Sequence, residues 1–72
     1  MKKIKKIKIK LNGKAKVIIE NLKIINLISD LKIPVKKVAI ELNAEIIDKK
    51  KLNKIKLKDG DQIEIVHFIG GG

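Results

Sequence analysis

The chain contains no cysteine, tryptophan, tyrosine or arginine, and only one proline, one phenylalanine and one histidine. Without cysteine, neither a disulfide nor a thiolate metal site can stabilise the fold, so its core has to suffice alone. A single aromatic residue offers no stacking platform for single-stranded nucleic acid. With arginine absent, all 18 basic residues are lysines. Lysine lacks the bidentate fork favoured in base and phosphate recognition. The formal charge of +10 is therefore read as a solvated lysine surface, and a nucleic-acid partner is not expected. Long apolar runs are missing too: apolar residues follow one another only a few at a time, against the ~20 needed to span a bilayer. The basic stretch Met1 to Lys10 is not followed by the apolar segment of a signal peptide. No membrane association is expected, and the location expected is the cytoplasm.

What is present is a chain of 72 residues, one domain near the lower limit for unaided folding. The apolar fraction is 44%, and 16 of those residues are isoleucine. A β-branched core of this kind suits a sheet better than a helical bundle.

Ile7, Ile9 and Leu11 alternate with Lys6, Lys8 and Lys10, the period-two pattern of a half-buried strand. Asn12-Gly13 marks a tight hairpin turn, and Ala15, Val17 and Ile19 are expected to continue the inward face on the returning strand. Ile24, Leu27, Ile28 and Leu31 then fall at helical spacing, predicting about two turns of amphipathic helix that end near Lys32, before Pro34. Val38, Ile40 and Leu42 predict a third strand, Asn43-Ala44 a turn, and residues 45–47 a short extended piece. The lysine-rich stretch 48–58 reads as a loop with one helical turn, and with Leu52, Ile55 and Leu57 as anchors. After the turn signal Asp59-Gly60-Asp61, Ile63 and Ile65 carry a last strand. The order is β-β-α-β-β. A right-handed crossover would put the first and last strands side by side and parallel. The fold class expected is α+β, a ubiquitin-like β-grasp: a mixed sheet of four to five strands with one helix across one face. The domain spans residues 1–69.

Residues 70–72 are three glycines and read as a flexible C-terminal tail. A folded domain gains nothing structural from them, because glycine loses most entropy when fixed. As a free end they would give a slim, extendable segment able to enter a narrow channel and present the terminal carboxylate to another enzyme.

The segment Val38-Ala39-Ile40-Glu41-Leu42-Asn43-Ala44-Glu45-Ile46, followed by the stretch from Leu57 to Gly72, closely resembles the thiamine-biosynthesis sulfur carrier family, ThiS. Members usually have glycine where Ala44 stands, which leaves a different turn type open at Asn43-Ala44. They often have glycine near Lys32, where a helix end calls for positive φ, and many are neutral or acidic. The resemblance implies a protein co-substrate, with no catalytic residues and no metal or cofactor of its own. A ThiF-like adenylating enzyme, using ATP, would activate the carboxylate of Gly72. A sulfur donor enzyme would convert it to a thiocarboxylate, and a ThiG-like thiazole synthase would take the sulfur. Gly70 and Gly71 would give the tail its slim approach, and Val66, Phe68 and Ile69 are candidates for docking a partner or for completing the core. His67 reads as a strand or surface residue, and Asp59 and Asp61 as turn residues. The alternatives are a sulfur carrier of the molybdopterin-synthase type and a basic β-grasp module that binds RNA.

Overall fold

The computed structural model describes residues 4–68. Its elements are β1 (Lys6–Leu11), β2 (Lys14–Ile19), α1 (Ile24–Asp30), β3 (Val38–Leu42), β4 (Glu45–Ile46) and β5 (Gln62–His67). Short 3-10 turns at Val35–Lys37 and Lys49–Lys51 complete it. The sheet has five strands in the order β2-β1-β5-β3-β4. The first and last strands are neighbours and parallel, as expected, while the other pairings are antiparallel.

Alternation builds the sheet's inner face. Ile7 and Ile9 of β1, Val38 and Ile40 of β3, and Ile63 and Ile65 of β5 are buried, and α1 lays Ile24, Leu27 and Ile28 over them. Leu52 and Leu57, the anchors predicted for the long loop, are buried as well, and Ile55 packs against the cluster.

The expected inward face of β2 is corrected. Ile18 is buried there, whereas Val17 is 56% and Ile19 48% exposed, and Ala15 is exposed. The reason lies in the turn. A two-residue loop at Asn12-Gly13 pairs Leu11 with Lys14, and so Ile9 with Lys16 and Ile7 with Ile18. Cross-strand partners share a face, so a register set by the turn decides which side chains turn inward. Ala15, Val17 and Ile19 therefore lie beside Lys10, Lys8 and Lys6 on the open face.

Both ends of the short helix are held by backbone. Lys23 at its N-cap makes no side-chain cap. Instead the amides of Ile24 and Ile25 donate to the carbonyls of Ile55 and Leu52, at 3.0 and 3.1 Å. These bonds satisfy donors that a helix start leaves open, and they tie the loop 48–58 to the helix. At the other end, Lys32 has φ +58. The Lys32 amide donates to Ser29 and the Ile33 amide to Ile28, the paired bonds of a Schellman motif. The positive φ expected at the helix end is thus adopted by a lysine.

The second hairpin turn settles the question raised by Ala44. Asn43 has φ +51 and Ala44 φ +72, close to the +50 and +82 of Asn12 and Gly13. Both turns are of the I′ kind, with positive φ at both central residues. The second position of this turn thus places an alanine in the left-handed region.

Candidate functional site: the strand that leads to the glycines

β5 runs up to Phe68, the last described residue. Its entry is the Asp59-Gly60-Asp61 turn, and both carboxylates work there as acceptors for backbone. Asp59 Oδ1 accepts from the Lys8 amide and Asp61 Oδ2 from the Lys58 amide, each at 2.8 Å. The Gly60 amide donates to Lys8 and the Lys10 amide to Asp61. The turn role expected for the two aspartates is what the structure shows.

Along its length β5 pairs with β3 from Leu42↔Ile63 to Val38↔His67. On the other side it pairs with β1 only at Lys10↔Gln62 and Leu11↔Ile63. Beyond that point β1 has turned away into its hairpin, and Asn12 takes over. Its amide donates to Ile63 at 2.9 Å, and its side-chain Oδ1 accepts the Ile65 amide at 2.8 Å. Asn43 does the same for the strand's start. Its Oδ1 accepts the Gln62 amide at 2.9 Å, and its Nδ2 donates to Asp61 Oδ1 at 3.1 Å. One asparagine from each hairpin turn thus latches the final strand. The sequence reading treats Asn12 and Asn43 as turn residues only. The signal available was that both I′ turns begin with asparagine, whose amide can donate and accept at once.

At the exit, the Phe68 amide donates to the Lys37 carbonyl at 2.9 Å, and Lys49 Nζ stands 5.2 Å from the Phe68 ring centroid. That is within cation–π range. Val66 and Phe68 are half exposed, at 50% and 55%, so neither completes the core. His67 is exposed and sits opposite Val38 in the ladder. Ile69, Gly70, Gly71 and Gly72 lie outside the described residues. The arrangement delivers a strand hydrogen-bonded from both hairpin turns, with two exposed apolar side chains, Val66 and Phe68, at the end of the described residues.

A family model described as the ThiS family matches residues 9–72. The chain belongs to the ThiS family. Among solved structures, the ThiS crystal structure of the thiamine biosynthesis protein from Geobacter metallireducens superposes with a TM-score of 0.81 at 33% identity. The match covers 92% of this chain and 100% of that one. The sulfur carrier protein ThiS of Bacillus subtilis (strain 168) is 45% identical over 47 residues, which is 65% of this chain and 71% of that protein. A thiazole synthase of Paramagnetospirillum magneticum is 37% identical over 65 residues, 90% of this chain but 20% of that enzyme. This ThiS-family chain therefore spans about a fifth of the length of that relative. Among the described residues, no helix is long and apolar enough to cross a membrane.

Proposed function

We propose that this chain is a sulfur carrier for thiamine biosynthesis, and that its reactive group is the carboxylate of Gly72. The observation that carries the reading is that the ThiS-family match continues through the glycines to residue 72, on a β-grasp domain whose last strand is latched from both sides. The carrier is a co-substrate and not a catalyst. The chemistry follows from the weakness of a carboxylate as an electrophile. A ThiF-like enzyme joins the Gly72 carboxylate to the α-phosphorus of ATP, releasing pyrophosphate. Hydrosulfide supplied by a donor enzyme attacks the acyl carbon, the C–O bond to AMP breaks with AMP leaving, and the thiocarboxylate remains after loss of the sulfur's proton. A thiazole synthase of the ThiG type takes that sulfur into the thiazole ring, in the cytoplasm. Similarity to a stretch of thiazole synthases supports that last partner.

Val66 and Phe68, half exposed just before the glycines, suit an apolar pocket at the mouth of the activating enzyme's channel, with Ile69 continuing that approach. Gly70 and Gly71 keep the approach slim. The test is the intact mass of the chain after incubation with a bacterial ThiF-type enzyme, ATP and sulfide, followed by a thiol alkylator. Since the chain has no cysteine, the expected alkylatable sulfur belongs to the C-terminal thiocarboxylate. The Gly71→Val variant is expected to fold normally and to resist adenylation. Recovery of unmodified carrier with a competent enzyme, or normal adenylation of Gly71→Val, refutes the corresponding step.

A further inference from the structure

Among the described residues, strand β2 lies at one margin of the sheet and pairs only with β1. The bond from the Glu20 amide to the Lys5 carbonyl fixes the alternation of this ladder. Lys14, Lys16, Ile18 and Glu20 direct their backbone groups at β1, and Ala15, Val17 and Ile19 direct theirs outward. The Ile19 carbonyl accepts from the Leu22 amide at 3.3 Å. The outward amides of Ala15, Val17 and Ile19, and the carbonyls of Ala15 and Val17, have no partner among the described residues. Beside this edge a groove of about 310 Å³ runs between β2 and α1. Ile18, Leu22, Leu27 and Leu31 are among its apolar lining, which the β2 residues Val17 and Ile19 also border, and Lys16 and Asp30 are its charges.

We propose that the free edge of β2 and the groove beside it accept an extended, acidic segment of another protein as an additional strand. The row of outward donors and acceptors demands a backbone in extended form, because only a strand presents matching groups at matching spacing. Alternate side chains of that strand would enter the groove, and the others would cover Val17 and Ile19 on the open face. Charge selects the segment. The hairpin 5–20 holds six lysines and one acidic residue, Glu20, whose carboxylate already lies 3.6 Å from Lys5 Nζ. Lys16 turns toward the core side of an edge strand, a placement that discourages indiscriminate pairing. A carboxylate in the added strand removes that obstacle. A second copy of the chain is disfavoured, since it brings together two surfaces of +10 formal charge. RNA offers no ladder of amides and carbonyls to the edge. The proposal is independent of the carrier reading, and its test needs no activating enzyme.

The experiment is a titration of the ¹⁵N-labelled chain with a blocked octapeptide, Asp-Glu-Val-Ile-Val-Ile-Asp-Glu, followed by amide NMR and hydrogen exchange. The expected result is saturable binding at about 0.1–1 mM peptide, with slowed exchange at Ala15, Val17 and Ile19 and shifts at Leu22, Leu27 and Leu31. Replacing the four acidic residues by lysine, or raising salt to about 0.5 M, should weaken binding at least about tenfold. Val17→Pro removes an outward amide that β1 does not use and is expected to abolish binding. Leu31→Lys, at a half-buried position of the groove, provides the same answer should the proline variant fail to fold. Absence of saturable binding, or shifts confined to the face bearing Lys6, Lys8 and Lys10, overturns the proposal. So does protection of the same amides by a mixed-sequence RNA, or a dimer by sedimentation that Val17→Pro dissociates.

Discussion

Replacing Ala44 by glycine should make this protein more stable. Ala44 sits at φ +72 in a turn whose neighbour, Asn43, is at φ +51. An L-residue with a Cβ in the left-handed region carries roughly 1–2 kcal/mol of steric cost. Glycine removes that cost but gives the unfolded chain more freedom, which returns about 0.4–1 kcal/mol. The net gain is about 0.5–1 kcal/mol, and for a domain of this size that corresponds to about 3–6 °C in melting temperature. The first hairpin supplies an internal control. Gly13 has φ +82, and a Cβ built there meets nothing within 4 Å. Gly13→Ala therefore introduces backbone strain without a clash and should lose about the same 0.5–1 kcal/mol. Because the two turns bond different residues of β5, the effects should add, and the double variant should melt within about 2 °C of the parent.

The assay is thermal and urea unfolding of the four proteins, followed by circular dichroism. An unchanged or lowered midpoint for Ala44→Gly refutes the argument that the alanine is strained. A loss above about 3 kcal/mol for Gly13→Ala would show that side-chain packing, and not φ, governs the first turn.

Three further outcomes are expected. Asn12→Gly keeps the positive φ of the turn but removes the side-chain latch on Ile65. It should cost about 1–2 kcal/mol and raise hydrogen exchange at the Ile65 amide more than at Ile63, whose carbonyl the backbone of residue 12 still engages. Leu27→Ala hollows the fully buried centre of the helix stripe and should cost about 2–5 kcal/mol by urea titration, a large part of the stability of so small a domain. Lys49→Ala removes the ammonium 5.2 Å from the Phe68 ring; stability should fall by no more than about 1 kcal/mol, while ring resonances of Phe68 shift.

Much of the fold was legible because period-two and period-3.6 patterns appear wherever one face is buried. β1, β3 and β5 show clean alternation, and the helix stripe is unbroken. β2 was misread for a physical reason. Val17, Ile18 and Ile19 are apolar without alternation, so pattern could not choose a face, and only the register imposed by the Asn12-Gly13 turn does. The two asparagine latches were hidden because their partners lie 53 and 19 residues away. The same distant bonds explain why Asn43-Ala44 keeps a type I′ turn. The Asn43 side chain, held by Gln62 and Asp61, fixes the turn from outside, whatever residue follows it. The aspartates of the 59–61 turn were legible as a turn from sequence, although which amides they hold was not.

The central position of β5 has a consequence for how the chain comes into being. The strand order β2-β1-β5-β3-β4 divides everything made earlier into two hairpins with a gap between them, and only the final strand fills that gap. During synthesis the N-terminal hairpin and the helix can form early, but the sheet cannot close until residues 62–67 have emerged. Such long-range closure is slow compared with local structure. Closure of the sheet is thereby tied to the appearance of β5. A chain cut short before β5 would leave β1 and β3 without their shared partner. The domain becomes whole only when β5, which joins β1 to β3, has been made.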